Sequence, residues 1–400
     1  MLSSRRSPFI YALVPALLLL FVPAAASAAT TLVVDDDMVC EGAAFSTIQS
    51  AVDAASPGDT VKVCAGGYTE TVTVDKTLVL QGAKANVDAR TRVQTGESVV
   101  KGPGGGFRVQ ADNVAVNGFT VKDATGGPGI ELSRTNTGAT VSYNIIKNSV
   151  FGIYANSSGA GLTTISYNRI FGNNGAGSAG GNGIYSDQGL VGGRINHNLL
   201  EGHQNAGVLV ALTSFTVNDL AIKMNSSLNN ASFVAIFHGT NVKVAGNTSD
   251  DTIVEDNNAQ GSSVFVGGNS STVVVKANII KHAAFDGVAV RAQANGVSVQ
   301  GNTVKASNRD GISVTASTPG GVTVASNTVK KSQRDGITFS AETSGDTITG
   351  NTSLNNDIGL TGAVDCADAS LGEGTAGTAN TWTANTGVTS SPPGLCTPPA

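Results

Sequence analysis

The sequence predicts an all-β solenoid, a chain wound into stacked coils of short strands, on three observations. First, a unit recurs: "ANIIKHAAFDGVAV", "GNTVKASNRDGISV" and "SNTVKKSQRDGITF" align as Asn, x, Ile or Val, Lys, a few polar residues, then Gly and a strand. The same frame returns at Asn144, Asn168, Asn198, Asn225, Asn247, Asn278, Asn302, Asn327 and Asn351, with steps that cluster around one coil. Second, segments such as "TVVVKA", "GVSVQG" and "GVTVAS" alternate apolar and polar residues between Gly and Asn turns, a period-two strand signal with no room for helices between strands. Third, 50 glycines, 40% apolar and only 13% charged residues exclude a disordered chain, which combines low hydrophobicity with high charge.

Stacking would pair each strand in parallel with its equivalent one coil on, about 4.8 Å away. The recurring Asn suits such a turn, because it tolerates left-handed backbone and its amide can bond the Asn above and below.

Both ends differ from the repeat. Residues 1–28, with Arg5 and Arg6, an apolar run to Val22 and a small-residue Ala26-Ser27-Ala28 site, read as a secretory signal peptide, so the mature chain is expected to begin near Ala29. Losing those two arginines takes the formal charge from -5 to -7, which argues against nucleic acid as a partner. No later segment approaches the roughly 20 apolar residues of a membrane span. In an exported chain the four cysteines, placed as two local pairs, predict disulfides Cys40–Cys64 and Cys366–Cys396, one at each end.

The segment "FSTIQSAVDAASPGDTVKVCAGGYTETVTVDKTLVLQGA" resembles the opening of secreted right-handed parallel β-helix proteins of the pectin-lyase-like and NosD-like type. The tail "GTANTWTANTGVTSSPPGLC" resembles the ending of related actinobacterial secreted proteins. The resemblance implies one right-handed parallel β-helix domain over residues 29–400, with a cap at 29–60, coils at 61–362 and a disulfide-closed cap at 363–400. Within the first cap, Ser46 and Gln49 fit a capping box, and Ile48, Val52 and Ala55 share a helical face. A short capping helix there would cover the open end of the first coil.

Taking the Gly of each turn as zero, position +1 is apolar at Ile130, Ile153, Ile184, Val208, Val288, Ile312 and Ile337, so position +2 faces outward. That outward row reads Glu131, Tyr154, Tyr185, Leu209, Phe237, Phe265, Ala289, Ser313 and Thr338, if the less regular middle coils keep register. An outward aromatic stripe can stack on successive sugar rings; the alternative is that the rings pack under the loop from Asn173 to Gly181. Asn156, Asp187 and Gln188 flank the stripe, with His203 in a neighbouring turn and Arg291 one or two coils further.

Resemblance in fold does not carry activity without the reacting residues. The polygalacturonase set of paired Asp with Gly-His-Gly and Arg-Ile-Lys, the pectate-lyase Arg-centred motif and the Asp-Pro-His of alginate epimerases have no match in this sequence. His197, His203, His238 and His282 show neither H-x-H nor i, i+4 pairing, so no dedicated transition-metal site is expected. Asp286, Asp310 and Asp335 recur at steps of 24 and 25 residues, balanced by Lys281, Lys305, Lys330, Arg309 and Arg334. They read as a charge-balanced turn ladder, with a Ca²⁺ site as the alternative; no other cofactor is expected.

The sequence therefore points to a secreted or cell-surface protein that binds extracellular polysaccharide or cell-wall glycan through Tyr154, Tyr185, Phe237, Phe265, Asn156 and Gln188. The alternative is a polysaccharide lyase, epimerase or hydrolase, for which Asp187, His203 and Arg291 are the candidate catalytic residues.

Overall fold

The computed structural model describes residues 28–210, 215, 217–251 and 261–400; the expected signal peptide lies almost wholly outside them. Successive strands deal themselves in turn onto three parallel sheets of 16, 12 and 13 strands, so each coil contributes one strand to each sheet. Short Val- and Ile-rich strands turn alternate side chains inward, and one continuous apolar core runs the length of the stack from Val34 to Leu395.

The corner between the first and second sheets explains the recurring Asn. Each of these residues is buried and its amide reaches a strand carbonyl and the next Asn; from Asn168 on, its side-chain oxygen accepts the backbone N–H of the Asn one coil earlier, while Asn144 accepts that of Phe119. Asn278, for example, donates to the Val244 carbonyl at 3.0 Å and to Asn302 Oδ1 at 2.9 Å. The residue just before takes left-handed backbone, at Tyr143, Tyr167, His197, Met224, Ala277 and Ser326 alike. The ladder continues to Asn385, one coil beyond the last position read in sequence.

The Gly that precedes each third-sheet strand serves closeness rather than a left-handed turn. A Cβ on Gly311 would lie 2.1 Å from Val329 Cγ1 and 2.6 Å from the Gly336 carbonyl oxygen of the next coil. This is why Asp-Gly recurs at the coil corner.

Both ends are closed. The helix Ile48–Ala54 buries Ile48, Ala51 and Val52 against the first coils. Its cap is Thr47, whose side chain accepts from the Ser50 N–H, rather than the expected Ser46. Gln49 does not reach back to a cap; it bonds Asp53 and the Thr73 backbone, and Glu70 takes the Ile48 and Gln49 N–H groups. The first end also carries strands Thr31–Val34 and Ala43–Phe45, which extend the first sheet. At the other end Trp382 is buried, edge-on to Phe339, with its Nε1 donating to Asp368. Disulfides Cys40–Cys64 and Cys366–Cys396 tie the two ends as expected.

The Asp row is a ladder of the same kind. Asp286 accepts the Asp310 N–H, Asp310 accepts the Asp335 N–H, and Asp335 accepts the Val364 N–H. Arginines balance it: Arg291 lies 2.8 Å and Arg309 3.5 Å from Asp286, and Arg334 lies 3.9 Å from Asp310. The expected lysines form no such pairs with it; they belong to the second sheet and point elsewhere. Burial, then the Asp286 charge, raise the Asp310 carboxyl to about 6. Since this is above the unfolded value near 3.9, the associated stability is present at low pH and is lost as pH rises through 6. Asp310→Asn keeps an acceptor for Asp335 and removes the buried charge. It is expected to be more stable than the parent by about 2 kcal/mol at pH 7.5, the gain vanishing near pH 4; urea midpoints at the two pH values would measure it.

Candidate functional site

The outward face of the third sheet carries the site. Register pairs Arg108, Glu131, Tyr154 and Tyr185 coil by coil, so these four side chains form a straight row spanning about 14 Å at strand spacing. They floor a groove of about 460 Å³ that is also lined by Gly104, Thr125–Pro128, Val150, Phe151 and Ala176–Ala179, from the turns that lead into these strands. Ala176–Ala179 of the loop from Asn173 to Gly181 line the groove together with the tyrosines, both of which are partly buried.

Tyr154 and Tyr185 stack with centroids 5.9 Å apart and planes 13° from parallel, and Phe151 meets both edge-on at 5.7 Å. Their hydroxyls converge on one carboxylate: Tyr154 donates to Asp187 Oδ1 at 2.5 Å and Tyr185 to Oδ2 at 3.0 Å. Burial and the hydrogen bond to Asp187 push Tyr154 well above the ordinary phenol range, and burial with the Asp187 charge pushes Tyr185 up to about 12. Both phenols are therefore protonated donors at neutral pH, and Asp187 has each oxygen engaged. Arg108 and Glu131 pair loosely at 3.7 Å while staying 47% and 38% exposed, free to exchange partners with a ligand.

Other expected residues lie elsewhere. Asn156 is buried and acts as a support, accepting from the Ser186 hydroxyl and the Gln188 N–H. Gln188 is exposed on a smaller neighbouring hollow with Arg134 and Phe215. Phe237 is out of the expected register: Leu209 pairs with Ala235, and Ala235 with Phe265, so Phe237 stands two residues further along. Phe237 and Phe265, 5.0 Å apart, form a separate apolar cluster with Ala235, Ala289 and Leu209, in which Phe265 is only 7% exposed. The expected continuous stripe is two clusters on the same face.

His203 is fully buried inside the coil stack, where its Nδ1 meets Asn230 Oδ1 at 2.8 Å and its Nε2 meets the Asn173 amide at 3.4 Å. Burial lowers it to about 4, so it is a neutral member of a second ladder and cannot reach the groove. Arg291 follows a strand four coils beyond that of Tyr185 and is committed to Asp286 and the Ser313 carbonyl. Sequence reasoning missed Arg108 and Phe151. The first was legible, since Gly106-Phe107-Arg108 repeats the Gly frame one coil earlier; the second lies just before its Gly.

Residues 182–372 match the sequence model of a family described as periplasmic copper-binding protein (NosD). No curated protein matches the chain significantly. Among solved structures, the catalytic unit of the GH87 α-1,3-glucanase from Streptomyces thermodiastaticus superposes with TM-score 0.57 at 16% identity, over 86% of this chain and 66% of that one. The A-module of mannuronan C-5 epimerase AlgE4 from Azotobacter vinelandii gives 0.53 at 15% identity, over 90% and 96%. Such identities speak for fold alone.

The donors do not fit a copper centre. Among the described residues the one group of three potential ligands within reach of one another is Asp35, Asp36 and Asp37, hard carboxylates outside the matched segment. The histidines of that segment are dispersed, His197 stacked on Tyr167 and His282 bonded to Asp250. Three parallel sheets in coil-by-coil register, with these likenesses in fold, make the chain a right-handed parallel β-helix.

Proposed function

We propose that this is an exported glycan-binding protein whose ligand lies in the third-sheet groove, over Tyr154 and Tyr185. The observation that carries this reading is the tyrosine pair clamped by Asp187 and buttressed by Phe151. Aromatic rings fixed in this way lose little freedom when a sugar stacks on their exposed parts, while Arg108 and Glu131 supply polar contacts. The names of the two structural neighbours, a glucanase and an epimerase of mannuronan, are in keeping with a glycan ligand. Two disulfides, with the leader expected from the sequence over residues 1–28, support export to an oxidising compartment.

A second reading, a lyase, epimerase or hydrolase, draws on Glu131 and Asp187 lining one groove, since glycosidases work with paired carboxyls. Against it, Asp187 has both oxygens occupied by phenols that hold their protons, which leaves Glu131 alone of the pair open to a substrate where glycosidases use two. Incubation with a panel of acidic and neutral glycans separates the readings. Retention without unsaturated products, new reducing ends or epimerised residues is expected; any of those products would establish catalysis instead.

A further inference from the structure

The last outward position of the second-sheet strands forms one column along the molecule, and six of the chain's thirteen lysines stand in it. Lys101, Lys122 and Lys147 pair coil by coil near one end, and Lys281, Lys305 and Lys330 do so nearer the other. Like charges in register on neighbouring strands, about 4.8 Å apart, destabilise a sheet. A merely solvated face would avoid that repulsion, and here it occurs twice.

The column is not neutralised internally. Its acidic members have other partners, Glu201 with Arg169 at 3.0 Å and Asp250 with His282 at 2.8 Å. Lys281, Lys305 and Lys330 are exposed and have no ion-pair partner among the described residues. Lys122 has Asp123 at 3.4 Å, and Lys147 has the neutral Gln94 side chain at 2.6 Å and the Phe171 ring, 5.5 Å from its ammonium, but no ion-pair partner among the described residues. These two lysines border a hollow of about 500 Å³ with Gln94, Gly96, Thr120 and Glu97, whose carboxylate is paired with Arg92 at 2.9 Å. Burial and the charge of Lys122 lower the Lys147 ammonium below its ordinary range, against the smaller opposing pull of Asp123 and Glu97. The chain as a whole is acidic, so this positive track is a local feature.

We propose that the lysine column docks a linear anionic polysaccharide carrying carboxylates along its length, which would interleave with the regularly spaced ammonium groups. The proposal takes from the function above only the class of polymer; the face is a different one.

Sodium polygalacturonate at low salt, with neutral dextran as control, tests it on the full mature chain. The intact protein is expected to bind polygalacturonate and not dextran, and more weakly as salt rises. Lys122→Gln/Lys147→Gln and Lys305→Gln/Lys330→Gln are each expected to lose about tenfold in affinity and to flatten the salt dependence. Tyr154→Ala/Tyr185→Ala should keep the lysine-dependent binding; if it does while losing every groove glycan, the two sites are separate. No binding by the intact protein, or binding unchanged in both lysine variants, overturns the column. Loss in the tyrosine variant alone would place this polymer in the groove, overturning the column and leaving the groove standing.

Discussion

Replacing Asn278 by Ala is expected to lower stability by about 4 kcal/mol, a large loss for one buried substitution that touches neither the groove nor the lysines. Asn278 Oδ1 accepts both the backbone N–H and the side-chain amide of Asn247, and its own amide serves Val244 and Asn302. Alanine leaves the Asn247 backbone N–H without its acceptor, removes one of the two bonds of the Asn247 amide (the other goes to the Ile222 carbonyl) and removes the bond to the Val244 carbonyl, in a site that is 1% exposed, at roughly 1–3 kcal/mol for each orphaned group. Because coils touch only their neighbours, the loss should concentrate locally. Hydrogen exchange should show lost protection in the coils around Asn247, Asn278 and Asn302 first. A change under about 1 kcal/mol in urea unfolding would mean that the ladder is dispensable.

The second large effect concerns the groove. Tyr154→Ala/Tyr185→Ala is expected to weaken a retained glycan about 100-fold, since two stacked rings contribute together on the order of 2–3 kcal/mol. Asp187→Ala should cost less, about tenfold, because the rings remain but lose the clamp on their hydroxyls. Phe237→Ala should leave affinity unchanged, as Phe237 belongs to the separate apolar cluster. Calorimetric titration of the four proteins with one glycan would measure the series.

The fold was legible because a solenoid writes its geometry into the sequence once per coil. The Asn corner, the Asp-Gly corner and the alternating strands are each demanded again at every turn, so nine asparagines could be placed before any coordinates. The expected row failed where its Gly marker is missing: the strands pair one to one, but Phe233 stands opposite Gly207, so with no Gly to count from Phe237 was given the place that Ala235 holds. His203 misled for a different reason. An inward ladder position and an outward flank look alike in a polar turn, and only packing shows that the imidazole is enclosed by Asn173 and Asn230. The convergence of Tyr154 and Tyr185 on Asp187 was half visible, as neighbouring outward residues; the shared carboxylate depends on the path of the turn after Ser186.

Fluorotyrosine labelling with fluorine NMR locates the ligand most directly, each signal assigned by a single Tyr→Phe change. On adding a retained glycan, the Tyr154 and Tyr185 signals are expected to shift together, while Tyr68, buried in the core, and Tyr143 and Tyr167, stacked on another corner, stay in place. Shifts at Tyr143 and Tyr167 with Tyr154 and Tyr185 unmoved would contradict the groove.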